Sequence, residues 1–163
     1  MNRRVEKRTN WKWLLICLAI PVGIGLLSAL VSMDGMKRFE TVAKPPLTPP
    51  EWLFPVAWTV LYLLMGYASY VVWRSDAPVH QIDHALVWYG AQLAANFLWS
   101  PLFFQWNRHL AALMWLVLIV FLIVVTMVRF WRVDRKAGLL IVPYLCWTLF
   151  AGYLNAGVWL LNR

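Results

Sequence analysis

Most of the side chains usually recruited for acid–base, nucleophilic or metal chemistry are scattered or badly placed in this 163-residue chain. The three histidines, His80, His84 and His109, fall in loops or at the edge of an apolar run, where solvation accounts for them. An axial contact from His109 to a haem stays open as an alternative. Cys17 and Cys146 sit inside apolar runs with no C-x-x-C or Cys/His spacing, so neither a metal site nor a disulfide framework is indicated. No metal or required cofactor follows from these residues. What remains is recognition without covalent chemistry, by indole faces and carboxamides. The residues concerned are Trp58, Trp99, Trp115 and Trp147, with Gln92, Asn96 and Asn155.

These tryptophans stand out by depth. Indole rings collect at membrane interfaces because the ring is apolar while its N–H seeks a wet partner. Trp11, Trp13, Trp52, Trp73, Trp106, Trp131 and Trp159, at the ends of apolar runs, are absorbed by such a belt, and Trp88 by belt or packing. Trp58 lies six residues into its run, about 9 Å deep at 1.5 Å per residue. Trp99 is seven residues short of the end of its run, Trp115 five residues inside, and Trp147 near mid-span. Gln92 and Asn96 share a helix face, and Trp147, Ala151 and Asn155 form a stripe on another. Carboxamides at such depth face a bundle interior. Asn96 reads equally well as interhelical glue or as a site residue, and Asn155 better as glue. An aromatic-walled cavity with a few amides and no charge would take a flat hydrophobic ligand such as a porphyrin or sterol. Dense packing of the rings is the competing account.

The elements that must hold these groups are membrane helices. With 62% hydrophobic and 13% charged residues, the chain is too apolar for a soluble domain of its size. Five stretches, 13–33, 52–73, 85–106, 110–128 and 137–161, lack Asp, Glu, Lys and Arg, and each is long enough to cross a bilayer. The expected fold is all-α, a single five-transmembrane-helix domain over 1–163. Its helices are placed at about 13–33, 51–74, 84–106, 110–131 and 137–161, with a lid loop at 34–50. A cleavable signal peptide fits the first segment less well, given its length and Pro21, Gly23 and Gly25. The net charge of +8 does not mean nucleic acid. Ten of fifteen cations (Arg3, Arg4, Lys7, Arg8, Lys12, Arg74, Arg129, Arg132, Arg135 and Lys136) fall on the N-terminal side of the membrane. The positive-inside rule therefore predicts a cytoplasmic N-terminus, with the basic charge facing lipid headgroups.

The longest connection ends in T-P-P-E, Thr48–Glu51, which reads as a capping box opening the second helix. Small residues recur at four-residue spacing in Gly25/Ala29, Gly90/Ala94, Ala91/Ala95 and Gly152/Ala156, which suits close helix packing within one chain or a dimer interface.

Four ordered motifs carry a family resemblance. They are K-P-x-x-x-P-P-x-W at Lys44–Trp52, W-x-x-L-Y-x-x-M-G-Y at Trp58–Tyr67, Q-L-A-x-N-x-x-W-x-P-x-F-F at Gln92–Phe104, and P-Y-L-x-W-x-x-F-A-x-x-L-N at Pro143–Asn155. Together they resemble the TspO/MBR family, the tryptophan-rich sensory or translocator proteins, over about Phe39 to Asn155. The resemblance implies a five-helix bundle, usually a homodimer. It implies binding of porphyrin or haem, sterol-like compounds and isoquinoline or benzodiazepine ligands in a pocket closed by the first loop. It places that pocket at Ala29, Phe54, Trp58, Asn96, Trp99, Trp147, Ala151 and Leu154, in a protein of a bacterial cell membrane. Trp58 and Trp147 match the pair linked to light-dependent porphyrin breakdown in some relatives.

The chain departs from the pattern in three places. Leu47 stands where the loop usually has Trp, and Arg38-Phe39 where it has W-Y. The sterol-recognition element expects Tyr and Arg where this chain has Ala156 and Leu160, which argues against tight cholesterol binding. The leading expectation is a membrane receptor or carrier for tetrapyrroles with a sensing role in stress. The runner-up is an enzyme degrading porphyrin by light or oxidation through Trp58 and Trp147. A proton-coupled transporter ranks last, because the spans lack ionisable Asp, Glu, Lys and Arg.

Overall fold

The structure, a computed structural model, describes residues 10–39 and 41–162. The predicted basic cluster Arg3, Arg4, Lys7 and Arg8 lies outside them. Five long helices follow one another: α1 (Trp11–Phe39), α2 (Leu53–Trp73), α3 (Val79–Ser100), α4 (His109–Val133) and α5 (Arg135–Leu161). The all-helical, five-helix architecture is as the charge-free stretches predict. In cross-section the helices close a ring in the order α1–α2–α5–α4–α3. Four of them, α1, α2, α4 and α5, are long and apolar enough to cross a membrane. The remaining helix, α3, has 22 residues, about 33 Å at 1.5 Å per residue. It is the most polar of the five, with Gln92 and Asn96 buried.

The outer surface is what lipid requires. Leu26, Leu30, Val60, Met114, Val117, Phe121 and Leu149 are all exposed, which in water would drive aggregation and in hydrocarbon costs nothing. Helix contacts accordingly rely on close approach and a few hydrogen bonds rather than on hydrophobic burial. At Gly66 the α2 backbone approaches α1 so nearly that a Cβ would lie 2.6 Å from the Cys17 carbonyl oxygen. Gly90, by contrast, has nothing within 4 Å of a Cβ position, and Gly90, Ala91 and Ala94 are exposed on α3.

Several boundaries differ from those expected. Helix α1 runs on to Phe39 instead of stopping near residue 33, because Asp34–Phe39 contains good helix formers and can continue into the headgroup layer. Helix α3 begins at Val79, directly after Pro78, and stops at Ser100 before Pro101. There the backbone widens into a π-turn, Pro101–Gln105, whose Trp106 N–H reaches back to the Pro101 carbonyl at 3.0 Å. A proline supplies no N–H, and such a local widening re-satisfies the freed carbonyls. Asn107 at φ 51° closes it. Between α4 and α5 a single residue turns the chain. Asp134 accepts from the Lys136 and Ala137 amides at 2.7 and 3.3 Å, an N-cap for α5.

The predicted capping box is corrected. Thr48 does not cap α2; its hydroxyl donates to the Pro45 carbonyl at 2.6 Å. Glu51 pairs with Lys44 at 3.1 Å, and α2 begins at Leu53 with no side-chain cap. The reason is local sterics: Thr48 and Pro49 each precede a proline, which disfavours the α region. The helix therefore cannot start until Pro50 has passed.

Candidate functional site

Most interhelical seams carry at least one hydrogen bond. Ser28 of α1 donates to the Phe97 carbonyl of α3 at 2.9 Å. Asn96 of α3 donates to the Tyr62 hydroxyl of α2 at 2.9 Å. The Trp115 indole of α4 donates to the Ala95 carbonyl of α3 at 2.8 Å. Asn155 of α5 donates to the His109 carbonyl at the head of α4, also at 2.8 Å. Thus both asparagines serve as interhelical ties, the role the sequence favoured for Asn155 and left open for Asn96.

The seam between α2 and α5 is different. Among the described residues no hydrogen bond crosses it; rings do. Phe54 of α2 meets Trp147 of α5 edge-on at 6.1 Å, and Trp58 meets Tyr144 in the same manner at 6.2 Å. Along α2, Trp58 stacks on Tyr62 at 5.6 Å, four residues and one turn apart. Along α5, Trp147 leans on Phe150 at 5.7 Å. Such ring pairs each contribute about 0.5–1.5 kcal/mol beyond area burial, without the strict geometry of a buried amide bond. Phe54, Trp58 and Trp147 are only partly buried, whereas Tyr144 is sealed inside. On the outer side of this seam lies an apolar cleft of about 500 Å³, walled by Ala57, Val60 and Leu64 from α2 and by Pro143, Cys146, Trp147 and Phe150 from α5. Pro143 lies inside α5 and leaves its preceding turn without one backbone hydrogen bond.

The proline-rich loop packs on the C-terminal end of α5, beyond the cleft. Pro45 is buried, and its ring lies 2.5 Å from where a Cβ on Gly157 would be, so only glycine fits beneath it. Tyr153 donates to the Pro46 carbonyl at 2.9 Å. Asn162 accepts from the Ala43 amide at 3.2 Å and donates to the Ala43 carbonyl at 2.9 Å. Leu47, at φ 65° and 81% exposed, points away from the bundle. The 43–46 shoulder of the loop is therefore fixed to α5 and its C-cap Asn162, with Leu47 exposed beyond it.

Of the eight predicted pocket positions, Phe54, Trp58 and Trp147 come together in the ring cluster, and Asn96 reaches it through Tyr62. Ala151 and Leu154 are buried on α5. Trp99 is buried elsewhere, stacked on Phe103 at 5.1 Å beside the π-turn. Its indole N–H has no partner among the described residues. Ala29 is exposed on α1. Trp115, among the deep indoles, is committed to Ala95. The sequence overlooked Tyr62, Tyr144 and Phe150. The signal for them was spacing, since each lies three or four residues from Trp58 or Trp147 on the same helix face.

A family model described as TspO/MBR matches residues 17–160. The chain is 37% identical over 150 residues to the tryptophan-rich protein TspO of Chlorobaculum tepidum, covering 91% of this chain and 95% of that protein. It is 37% identical over 153 residues to the tryptophan-rich sensory protein of Cereibacter sphaeroides, covering 94% and 93%. To the human translocator protein it is 34% identical over 143 residues, covering 87% and 85%.

The Tyr62–Asn96 bond can be measured directly. A double-mutant cycle with Tyr62→Phe and Asn96→Leu, followed by unfolding in detergent, should return a coupling of about 1 kcal/mol. Additive effects would mean that the two groups do not pair.

Proposed function

The chain belongs to the TspO/MBR family, an integral membrane protein, and from that premise we propose that it binds porphyrin- or haem-like tetrapyrroles at the α2–α5 seam beneath the loop, as a receptor or carrier with a sensing role in stress. The observation that carries this is the ring cluster: Trp58 and Trp147, on neighbouring helices and partly buried, joined across the seam by ring contacts through Tyr144 and Phe54. A planar macrocycle can replace ring-on-ring contacts with its own faces at little cost, which it could not do at a seam closed by buried amide bonds. Sterol-like and isoquinoline or benzodiazepine ligands share the flat apolar shape, with Ala156 and Leu160 weighing against tight sterol binding.

Titrating protoporphyrin IX into the purified chain should quench tryptophan emission in a saturable manner. Trp58→Phe/Trp147→Phe should bind at least tenfold more weakly, about 1.4 kcal/mol. Absence of quenching, or equal affinity in the variant, removes the site. A second reading, light-dependent porphyrin breakdown, draws support from the contiguous oxidisable rings Trp58, Tyr62 and Tyr144. Bleaching of the bound complex under illumination no faster than that of free porphyrin would end it.

We place the N-terminus in the cytoplasm of a bacterial cell, on the asymmetry of cations about the spans. A reporter fused ahead of Met1 that is active only outside the cell would reverse this. For a homodimer, the exposed small-residue face Gly90, Ala91 and Ala94 of α3 offers close backbone approach. Gly90→Leu should convert a dimer to monomer by light scattering in detergent, and an unchanged mass would exclude that face.

A further inference from the structure

Far from the ring cluster, at the end of the bundle that carries Asn10 and Asp134, a second cleft of about 380 Å³ opens between the start of α3 and the end of α4. His80, Gln81, His84, Arg129, Arg132 and Val133 line it. His80 and His84 lie one turn apart on α3, and Arg129 and Arg132 nearly so on α4, so two basic pairs face one space. Among the described residues neither arginine forms an ion pair or stacks on a ring, although both neighbours at this end do: Arg74 lies over Tyr70 and Arg135 over Trp131. Asp83 leaves the His80–His84 stripe on the side away from Gln81 and does not line the cleft.

Helix α3 adds to the positive field. Its first turn has no acidic residue, and its N-cap is Pro78, which offers no side-chain acceptor. Its positive dipole end lies beside the two arginines, which themselves sit on the negative, C-terminal end of α4. Four basic side chains and a bare helix start, with nothing anionic among the lining residues, call for an anion. The setting selects which one. The cleft lies at one end of the bundle beside α4, which is long and apolar enough to cross a membrane, and exposed Val87 and Val128 continue α3 and α4 away from it. A phosphate placed there would have room for acyl chains directly beyond it, as in basic interhelical pockets that hold anionic headgroups.

We propose that this cleft is a binding site for the phosphate headgroup of an anionic phospholipid. Arg129 and Arg132 carry the phosphate, and His80, His84 and Gln81 donate to its remaining oxygens or to the headgroup hydroxyls. The site is independent of the tetrapyrrole reading and stands or falls by itself.

Native mass spectrometry of the full chain, released from detergent with added lipid, tests it. The probes are phosphatidylglycerol, phosphatidylcholine and inorganic phosphate. Arg129→Gln/Arg132→Gln is compared with Lys12→Gln/Lys136→Gln, which removes the same charge from the same end but outside the cleft. Thermal melts confirm that both variants fold. The expected result is one phosphatidylglycerol retained at least tenfold more tightly than phosphatidylcholine, lost in the arginine variant and kept in the lysine variant, with millimolar phosphate unable to displace it. Equal loss in both variants would reduce the effect to diffuse surface charge and overturn the site. Equal retention of the two lipids, or displacement by inorganic phosphate, would overturn the lipid assignment.

Discussion

A carboxamide or indole N–H buried in a bilayer has no water to turn to, so its partner must come from another helix or from a bound molecule. In this chain four polar side chains are spent on the seams, while the Trp99 indole N–H is left without a partner among the described residues. Ser28, Asn96, Trp115 and Asn155 each cross to a neighbouring helix, linking α1 to α3, α3 to α2, α4 to α3 and α5 to α4. Of the remaining ring contacts, α1 on α2 is closed by backbone approach at Gly66, with the Asn10 amide donating to the Tyr70 hydroxyl at its end, and α2 on α5 is left to aromatic edges and faces. A hydrogen-bonded seam resists separation because parting it strands donors in hydrocarbon. A ring-lined seam has no such penalty once another ring takes the vacated place. On the proposed reading, a ligand enters at this seam because of where the polar residues are, not because of any special mobility assigned to it.

The loop makes sense on the same terms. Its prolines reduce the cost of ordering it, and it is anchored to α5 through Pro45 over Gly157, Tyr153 to Pro46 and Asn162 to Ala43. The lid consequently belongs to α5 rather than to α2, although it leads directly into α2. Under the proposed ligand entry between α2 and α5, the loop would stay with α5 and flex near Pro49–Glu51, where α2 has no side-chain cap to hold its start.

Much of this was legible in the residues themselves. Charge-free runs gave five helices, and the family resemblance placed Phe54, Trp58 and Trp147 in one pocket. Three things were not legible. Helix ends depended on proline sterics: T-P-P-E has the composition of a capping box, but its consecutive prolines forbid the geometry. The fate of the deep indoles depended on rotation about each helix axis, which depth alone does not fix. Trp58 and Trp147 share the α2–α5 seam, while Trp115 turns to α3 and Trp99 to the π-turn. Similar depth was read as similar purpose, and the packing of Phe103 and the carbonyl of Ala95 divided them. The basic side chains His80, His84, Arg129 and Arg132 were read as loop solvation and topology, since their convergence requires knowing that α3 starts at Val79 and packs on α4.

The most direct check is a structure of the chain with protoporphyrin IX bound. The ring-lined seam requires the macrocycle to lie between α2 and α5 under the 43–47 segment, in van der Waals contact with both Trp58 and Trp147, with the Tyr62–Asn96 bond intact. A macrocycle seated against Trp99 and the π-turn, or held on the outer face of α3, would contradict it.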